Sequence, residues 1–228
     1  MRCCSFAEHT RKIDALEWPI SKPFNRAVIA NGLCAWLGAY RALTLVLKSN
    51  RNKLIQSVQM IPTSYRPRKK FMELAVSEAK RAGDRGDYPI GAVITRLTGS
   101  REVVIASAGN RVKTSGSSIK HVELETLKYV SSGYGRYLSD FVLYSTHEPC
   151  AMCAGACVWS RIGAVVYGVS QEDIAAYGRK NGTEDYKWRA CLIPCRLVFE
   201  KGNHSIPVTG GFLRQECRKL FSYRSTRR

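Results

Sequence analysis

The decapeptide His147-Glu148-Pro149-Cys150-Ala151-Met152-Cys153-Ala154-Gly155-Ala156 follows an apolar, strand-like run at Phe141–Ser145 and opens a helix-like run at Ala151–Ser160. Another strand-like run, Ala164–Gly168, comes next. This β-α-β alternation implies a layered α/β domain. Cys150 and Cys153 stand three apart, so on a helix both thiols face one side. Pro149 suits a first helical turn, where its missing N–H would be an orphan anyway. The positive end of the helix dipole favours thiolates, the species that bind metal.

Working outward, Phe71, Leu74, Ala75, Ala79 and Ala82 recur at helical spacing and the run stops at Gly83, which predicts a helix. Ile90–Thr95 and Val103–Ala108 are β-branched apolar runs about a turn containing Gly99, and predict a hairpin. Helical material is expected from about Ile119 to Val130. Downstream, Leu197–Phe199 reads as a further strand and Phe212–Phe221 as a final amphipathic helix.

The chain has 228 residues, 36 basic against 18 acidic, a net charge of +18 and 45% hydrophobic residues. That content can bury a core and excludes wholesale disorder. Residues 1–70 carry 13 of the basic residues and three of the acidic ones. The segment Ile61–Lys70, IPTSYRPRKK, reads as a linker or helix start. It separates a basic extension of unknown role, residues 1–66, from the domain expected over residues 67–228. Met60 makes a natural start, in which case residues 1–59 are not translated; if they are, the basic leader lies against membrane or nucleic acid, or is a solvated face. The apolar stretch Ala27–Leu47 is broken by Asn31, Arg41 and two glycines, so no membrane span is expected. Glu8, Asp14 and Glu17 oppose a secretory signal and weaken a transit-peptide reading. Nine cysteines at irregular spacing argue for reduced thiols in a cytoplasmic protein.

His121-Val122-Glu123, at the start of a predicted helix, completes a metal-binding set with Cys150 and Cys153. A structural zinc site fills four positions with Cys or His. One His and two Cys leave a position open to water, the mark of catalytic zinc. Zinc lowers the pKa of that water to about 7, and Glu123, two residues past the ligand, is placed to carry its proton. Cys157, and Cys191 with Cys195, read as buried thiols. His147 reads as a pocket-rim or packing residue in a loop. Trp36, Trp159 and Trp188 have packing as their default role.

The pattern H-x-E…P-C-x-x-C belongs to zinc deaminases that act on nucleobases. With YPIGAVI (Tyr88–Ile94), GNR (Gly109–Arg111), HEPCAMCAGA (His147–Ala156) and SRIGAVVYG (Ser160–Gly168), the chain resembles the purine-acting branch of the cytidine deaminase superfamily, which includes bacterial tRNA adenosine deaminases and guanine and nucleoside deaminases. The resemblance spans roughly residues 68–222. It implies a three-layer α/β/α sandwich with a central five-stranded mixed sheet, one Zn2+ per subunit and a homodimer. The implied reaction is hydrolytic exchange of a ring amino group for a carbonyl, with release of ammonia. It makes His121, Cys150 and Cys153 the metal ligands and Glu123 the proton relay. Asn110 matches the substrate-contacting asparagine, and the Cys150 backbone N–H matches a donor that polarises the reacting oxygen. Read without the resemblance, Asn110 is an ordinary turn asparagine.

Three features favour a small nucleobase or nucleoside over tRNA. Lys120 and Val122 flank His121 where small residues are usual, and DIAAYG at Asp173–Gly178 replaces a glycine-rich loop. Tyr177–Arg196, with Trp188, also resembles the matching region of guanine and nucleoside deaminases. The rival is adenosine at the tRNA wobble position, favoured by six basic residues in Arg214–Arg228. A non-catalytic zinc module that binds RNA is the third reading, against which Glu123 argues.

Overall fold

The helical spacing of Phe71, Ala75, Ala79 and Ala82 is realised in α1 (Lys69–Asp84), whose buried side contains all four. The structure, a computed structural model, describes residues 61–62, 65–181 and 192–223. A hairpin of β1 (Gly91–Thr98) and β2 (Arg101–Gly109) follows, then the short α2 (Val112–Ser115), α3 (Val122–Tyr134), β3 (Phe141–His147), α4 (Ala151–Ser160) and β4 (Ala164–Val169). The chain continues through α5 (Gln171–Asn181), α6 (Cys195–Glu200), β5 (Val208–Thr209) and α7 (Arg214–Arg218), which runs into a 3-10 turn at Lys219–Ser222.

The strands form one sheet in the order β2-β1-β3-β4-β5. β1 is antiparallel to β2 and β3, whereas β3–β4 and β4–β5 are parallel. The parallel β3–β4 pair requires a crossover, which α4 supplies. All seven residues of β3 are buried, as a strand covered on both faces demands. Alternate strand residues feed two cores. Ala92, Ile94, Leu143 and Val165 pack with Val122, Leu127, Ala154, Cys157 and Phe199 of α3, α4 and α6. Val93, Val142, Tyr144 and Val166 pack instead with Phe71, Met72, Cys217 and Phe221 of α1 and the C-terminal turns. The architecture is therefore the three-layer α/β/α sandwich about a five-stranded mixed sheet that the motifs implied. Where α1 crosses β1, Gly91 is required: a Cβ there would stand well inside contact distance of the Ala75 carbonyl oxygen and the Ala79 nitrogen.

Several local expectations are corrected. Leu197–Phe199 is helical, within α6: Cys195 and Phe199 are buried four apart while Leu197 is exposed, which is helical periodicity. A three-residue apolar run could not reveal that period. The fifth strand is the two-residue β5, paired to Val165–Val166. DIAAYG, which stands where a glycine-rich loop is usual, lies inside α5. Ile61 and Tyr65, read as linker, join the α1-side core, and the Tyr65 hydroxyl bonds to the Tyr144 hydroxyl and to Glu102. Trp159 is 86% exposed at the end of α4, because its neighbours Cys153, Ala154 and Cys157 occupy the inward side. Residues 1–60, including Trp36 and the Met60 start, lie outside the described residues, as do Trp188, Cys191 and residues 224–228. Among the described residues, no helix is long and apolar enough to cross a membrane.

Candidate active site and metal centre

Two helix starts, both beside the carboxyl end of β3, build the centre. His121 is the residue before α3 (φ −67°, ψ 141°), and Cys150 is the residue before α4 (φ −65°, ψ 170°). Both are extended, half outside their helices, so Pro149 lies just outside the first turn rather than in it. Glu123 and Cys153 sit in the first turns behind them. The i,i+3 relation holds, and Cys150 Sγ is 3.7 Å from Cys153 Sγ. His121 Nδ1 is 3.6 Å from each sulfur. A tetrahedral zinc with Zn–S of about 2.3 Å and Zn–N of about 2.05 Å needs S···S near 3.8 Å and S···N near 3.6 Å. The donor set therefore fits zinc on three corners and leaves the fourth unassigned. Among the described residues, His121, Cys150 and Cys153 are the group able to hold a metal ion, with all ligand atoms within 4.8 Å of one another.

Glu123 is buried, 4% exposed. Its Oε1 accepts a hydrogen bond from the Ser145 hydroxyl at 2.9 Å, and its Oε2 accepts one from the Cys153 thiol at 3.7 Å. Burial pushes its carboxyl above the ordinary range, while His121 and the Ser145 hydrogen bond pull it back. The Cys150 thiol is drawn down to about 4, first by its hydrogen bond with Cys153 and then by His121, against the effect of burial. Its contact with Cys150 and burial push the Cys153 thiol up.

Ser145 went unnoticed in the sequence, since a serine ending an apolar strand carries no signal. Asp87 was missed as well. Its Oδ1 accepts from the backbone N–H groups of Lys113 and Thr114 at 2.9 and 3.0 Å, and its Oδ2 from the Thr114 hydroxyl at 2.7 Å. It thereby pins α2, the element between Asn110 and His121. Asn110 is buried at the end of β2: its N–H donates to Ile90 O, and its Oδ1 accepts from Val112 N–H at 2.9 Å. That turn role is the plainer of its two readings, and it also fixes the side chain. A groove of about 470 Å³ beside these residues is lined by Gly109, Arg111, Lys120, Glu125 and Tyr129, among others.

Cys157 and Cys195 are buried in the core, as expected for structural thiols. His147 ends β3 rather than lying in a loop, and it packs edge-on against Phe221. Arg214 is held in a two-pronged pair with Asp173 at 2.9 and 2.5 Å, and Arg218 reaches the same carboxylate at 3.5 Å. Two of the six basic residues credited to phosphate contacts are thus tied to α5.

Residues 66–169 match the family described as the cytidine and deoxycytidylate deaminase zinc-binding region. The chain is 35% identical over 153 residues to the tRNA-specific adenosine deaminase of Bacillus subtilis, covering 67% of this chain and 84% of that relative. The chain belongs to the cytidine deaminase family of zinc-binding deaminases. A second member, a probable cytosine deaminase of Schizosaccharomyces pombe, is 31% identical over 147 residues, 64% of this chain and 85% of its own. The solved guanine deaminase of Nitrosomonas europaea shares the fold, with a TM-score of 0.52, 24% identity, and coverage of 70% of this chain and 85% of that one. The family's members thus differ in substrate while sharing the zinc-binding domain.

Proposed function

We propose that this deaminase is a zinc-dependent hydrolase that exchanges the ring amino group of a nucleobase or nucleoside, a purine by preference, for a carbonyl and releases ammonia. The observation that carries the reading is the buried Glu123 carboxylate, held by Ser145 beside three donors spaced for tetrahedral zinc. His121, Cys150 and Cys153 hold the ion. When bound, zinc supplies a water acidic enough to ionise near neutrality. Glu123 moves the proton. Its Oε1 is fixed by Ser145, which leaves Oε2 to serve the ring nitrogen and then the departing amine once Cys153 has ionised. The Cys150 N–H, at the positive end of α4, polarises the reacting oxygen. Asn110 contacts the base or sugar through its amide.

A second reading, deamination of adenosine at the wobble position of tRNA, draws on the likeness to the tRNA-specific adenosine deaminase of Bacillus subtilis. It draws also on the groove where Arg111 and Lys120 stand beside exposed Tyr129, suited to phosphate and base stacking. The non-catalytic RNA-binding reading leaves the position of Glu123 without a purpose. A homodimer is supported by Trp159 and Met152, exposed on the outer side of α4.

Guanine, cytosine, adenosine, guanosine and an anticodon stem-loop with adenosine at the wobble position are each incubated with the zinc-loaded protein, and ammonia is followed. Turnover of a free base or nucleoside is expected. Turnover of the stem-loop alone would move the assignment to the second reading, and turnover of none would leave the binding module. Glu123→Ala should abolish ammonia release while zinc stays bound.

A further inference from the structure

Gln171, the first residue of α5, carries no sequence signal, yet it is buried. Its side-chain Nε2 lies 3.3 Å from the Pro149 carbonyl oxygen and 3.0 Å from the Ile193 carbonyl oxygen. Both neighbours are backbone acceptors, so the amide nitrogen, not its oxygen, must face them. The Gln171 backbone N–H donates to Glu148 Oε2 at 2.9 Å, and Glu148 Oε1 accepts from Cys195 N–H at 2.8 Å. The N–H of Glu148 in turn donates to Val169 O, at the end of β4. One buried carboxylate therefore ties the first residues of α5 and α6 to the loop between β3 and α4. Gln171 then reaches back from α5 to that same loop, one residue before Cys150.

The consequence falls on the Pro149–Cys150 peptide. In a planar trans peptide the C=O and N–H point in opposite directions, and none of the described peptide bonds is cis. Holding the Pro149 oxygen toward α5 turns the Cys150 N–H away from α5. We propose that Gln171 is a positioning residue that aims the Cys150 backbone N–H at the reacting oxygen and holds the Cys150 sulfur in place among the metal donors. This rests on the deaminase reading, in which that N–H is the polarising donor. Glu148 acts one step further back, by fixing the residue from which Gln171 reaches.

Gln171→Met keeps the length of the side chain and removes both donors. The expected variant binds one zinc per chain, with kcat about 10- to 100-fold lower and KM little changed, since an aimed donor acts in the transition state. In protein labelled with 15N-cysteine, exchange of the Cys150 amide hydrogen should be faster than in wild type. Gln171→Asn, which withdraws the amide by one methylene, is read in the same way if the Met variant does not fold. A wild-type kcat at full zinc loading, a loss that merely tracks lost zinc, or unchanged Cys150 exchange would each overturn the proposal. Silence of the wild type on every substrate would sink the deaminase reading instead, with the exchange measurement still deciding the role of Gln171.

Discussion

Ser145→Ala removes the hydroxyl that holds the Glu123 carboxylate. Ser145 is fully buried and Glu123 nearly so, with the bond at 2.9 Å. No bulk water is at hand to replace the lost donor. A hydrogen bond to a charged group contributes about 1.5–3 kcal/mol, and about 1.4 kcal/mol corresponds to a factor of ten. The ionised, aligned carboxylate should therefore become scarcer on the acid side of its raised value, by roughly 10- to 100-fold at most, and kcat/KM should fall there by that factor. The sign of the pH effect follows from the site. The Ser145 bond holds the Glu123 carboxyl down against burial, so its removal moves the acid limb of the kcat/KM profile to higher pH and spares the rate on the alkaline side. Profiles of ammonia release from about pH 5 to 9, with zinc measured in the same samples, test this, and Ser145→Thr should restore the wild-type limb. An unshifted acid limb, or a loss uniform across pH that follows zinc content, would refute the reasoning.

Four further outcomes are expected. Cys153 is pushed up by its bond to Cys150 and by burial, and must ionise to bind metal, so zinc affinity measured by chelator competition should rise with pH; Cys150→Ser should lose zinc and activity together. Gly91→Ala forces a methyl against the α1 backbone and should cost about 3 kcal/mol, seen as a melting temperature lower by roughly 6–12 °C. Asp173 is held below its ordinary value by Arg214, so its contribution to stability is complete above the unfolded aspartate range and is lost as pH falls through the lowered folded value. Melting curves of Asp173→Asn should accordingly lie below wild type at pH 7 and converge with it under acid.

What could be read in the sequence was what neighbouring residues decide. Helix α4 runs Ala151–Ser160, as its helix-like run predicts, and β4 differs from expectation by a single residue. Both have lengths and boundaries that local chemistry sets. The metal donors were legible for a related reason: each lies at a helix start, where short spacings fix which side chains meet. Leu197–Phe199 was misread because three apolar residues fit either period, and β5 was invisible because two residues acquire strand geometry only from pairing with β4. Ser145 and Gln171 were unreadable on different grounds. Their partners, Glu123 and Pro149, are 22 residues away in each case, and only the sheet order brings them together. A packing role for Trp159 follows from residue type alone, which ignores the side of α4 on which it falls.

The basic composition bears on substrate choice less than its size suggests. Of the six basic residues in Arg214–Arg228, Arg214 and Arg218 are paired to Asp173, so their charge fastens the C-terminal turns to α5. Arg111 and Lys120 are placed differently, lining a groove next to the residues that carry Asn110 and His121. Reversing either charge should therefore discriminate between the substrate readings where Arg214 and Arg218, tied to Asp173, cannot. Loss of contacts to phosphate weakens binding in proportion to the charge removed and flattens its salt dependence, whereas a free base offers no phosphate to lose. If Arg111→Glu and Lys120→Glu leave KM for a free base or nucleoside unchanged but raise KM for the stem-loop at low salt, the groove serves RNA. If neither KM moves, selection of the substrate rests within the site around Asn110, Glu123 and the Cys150 N–H.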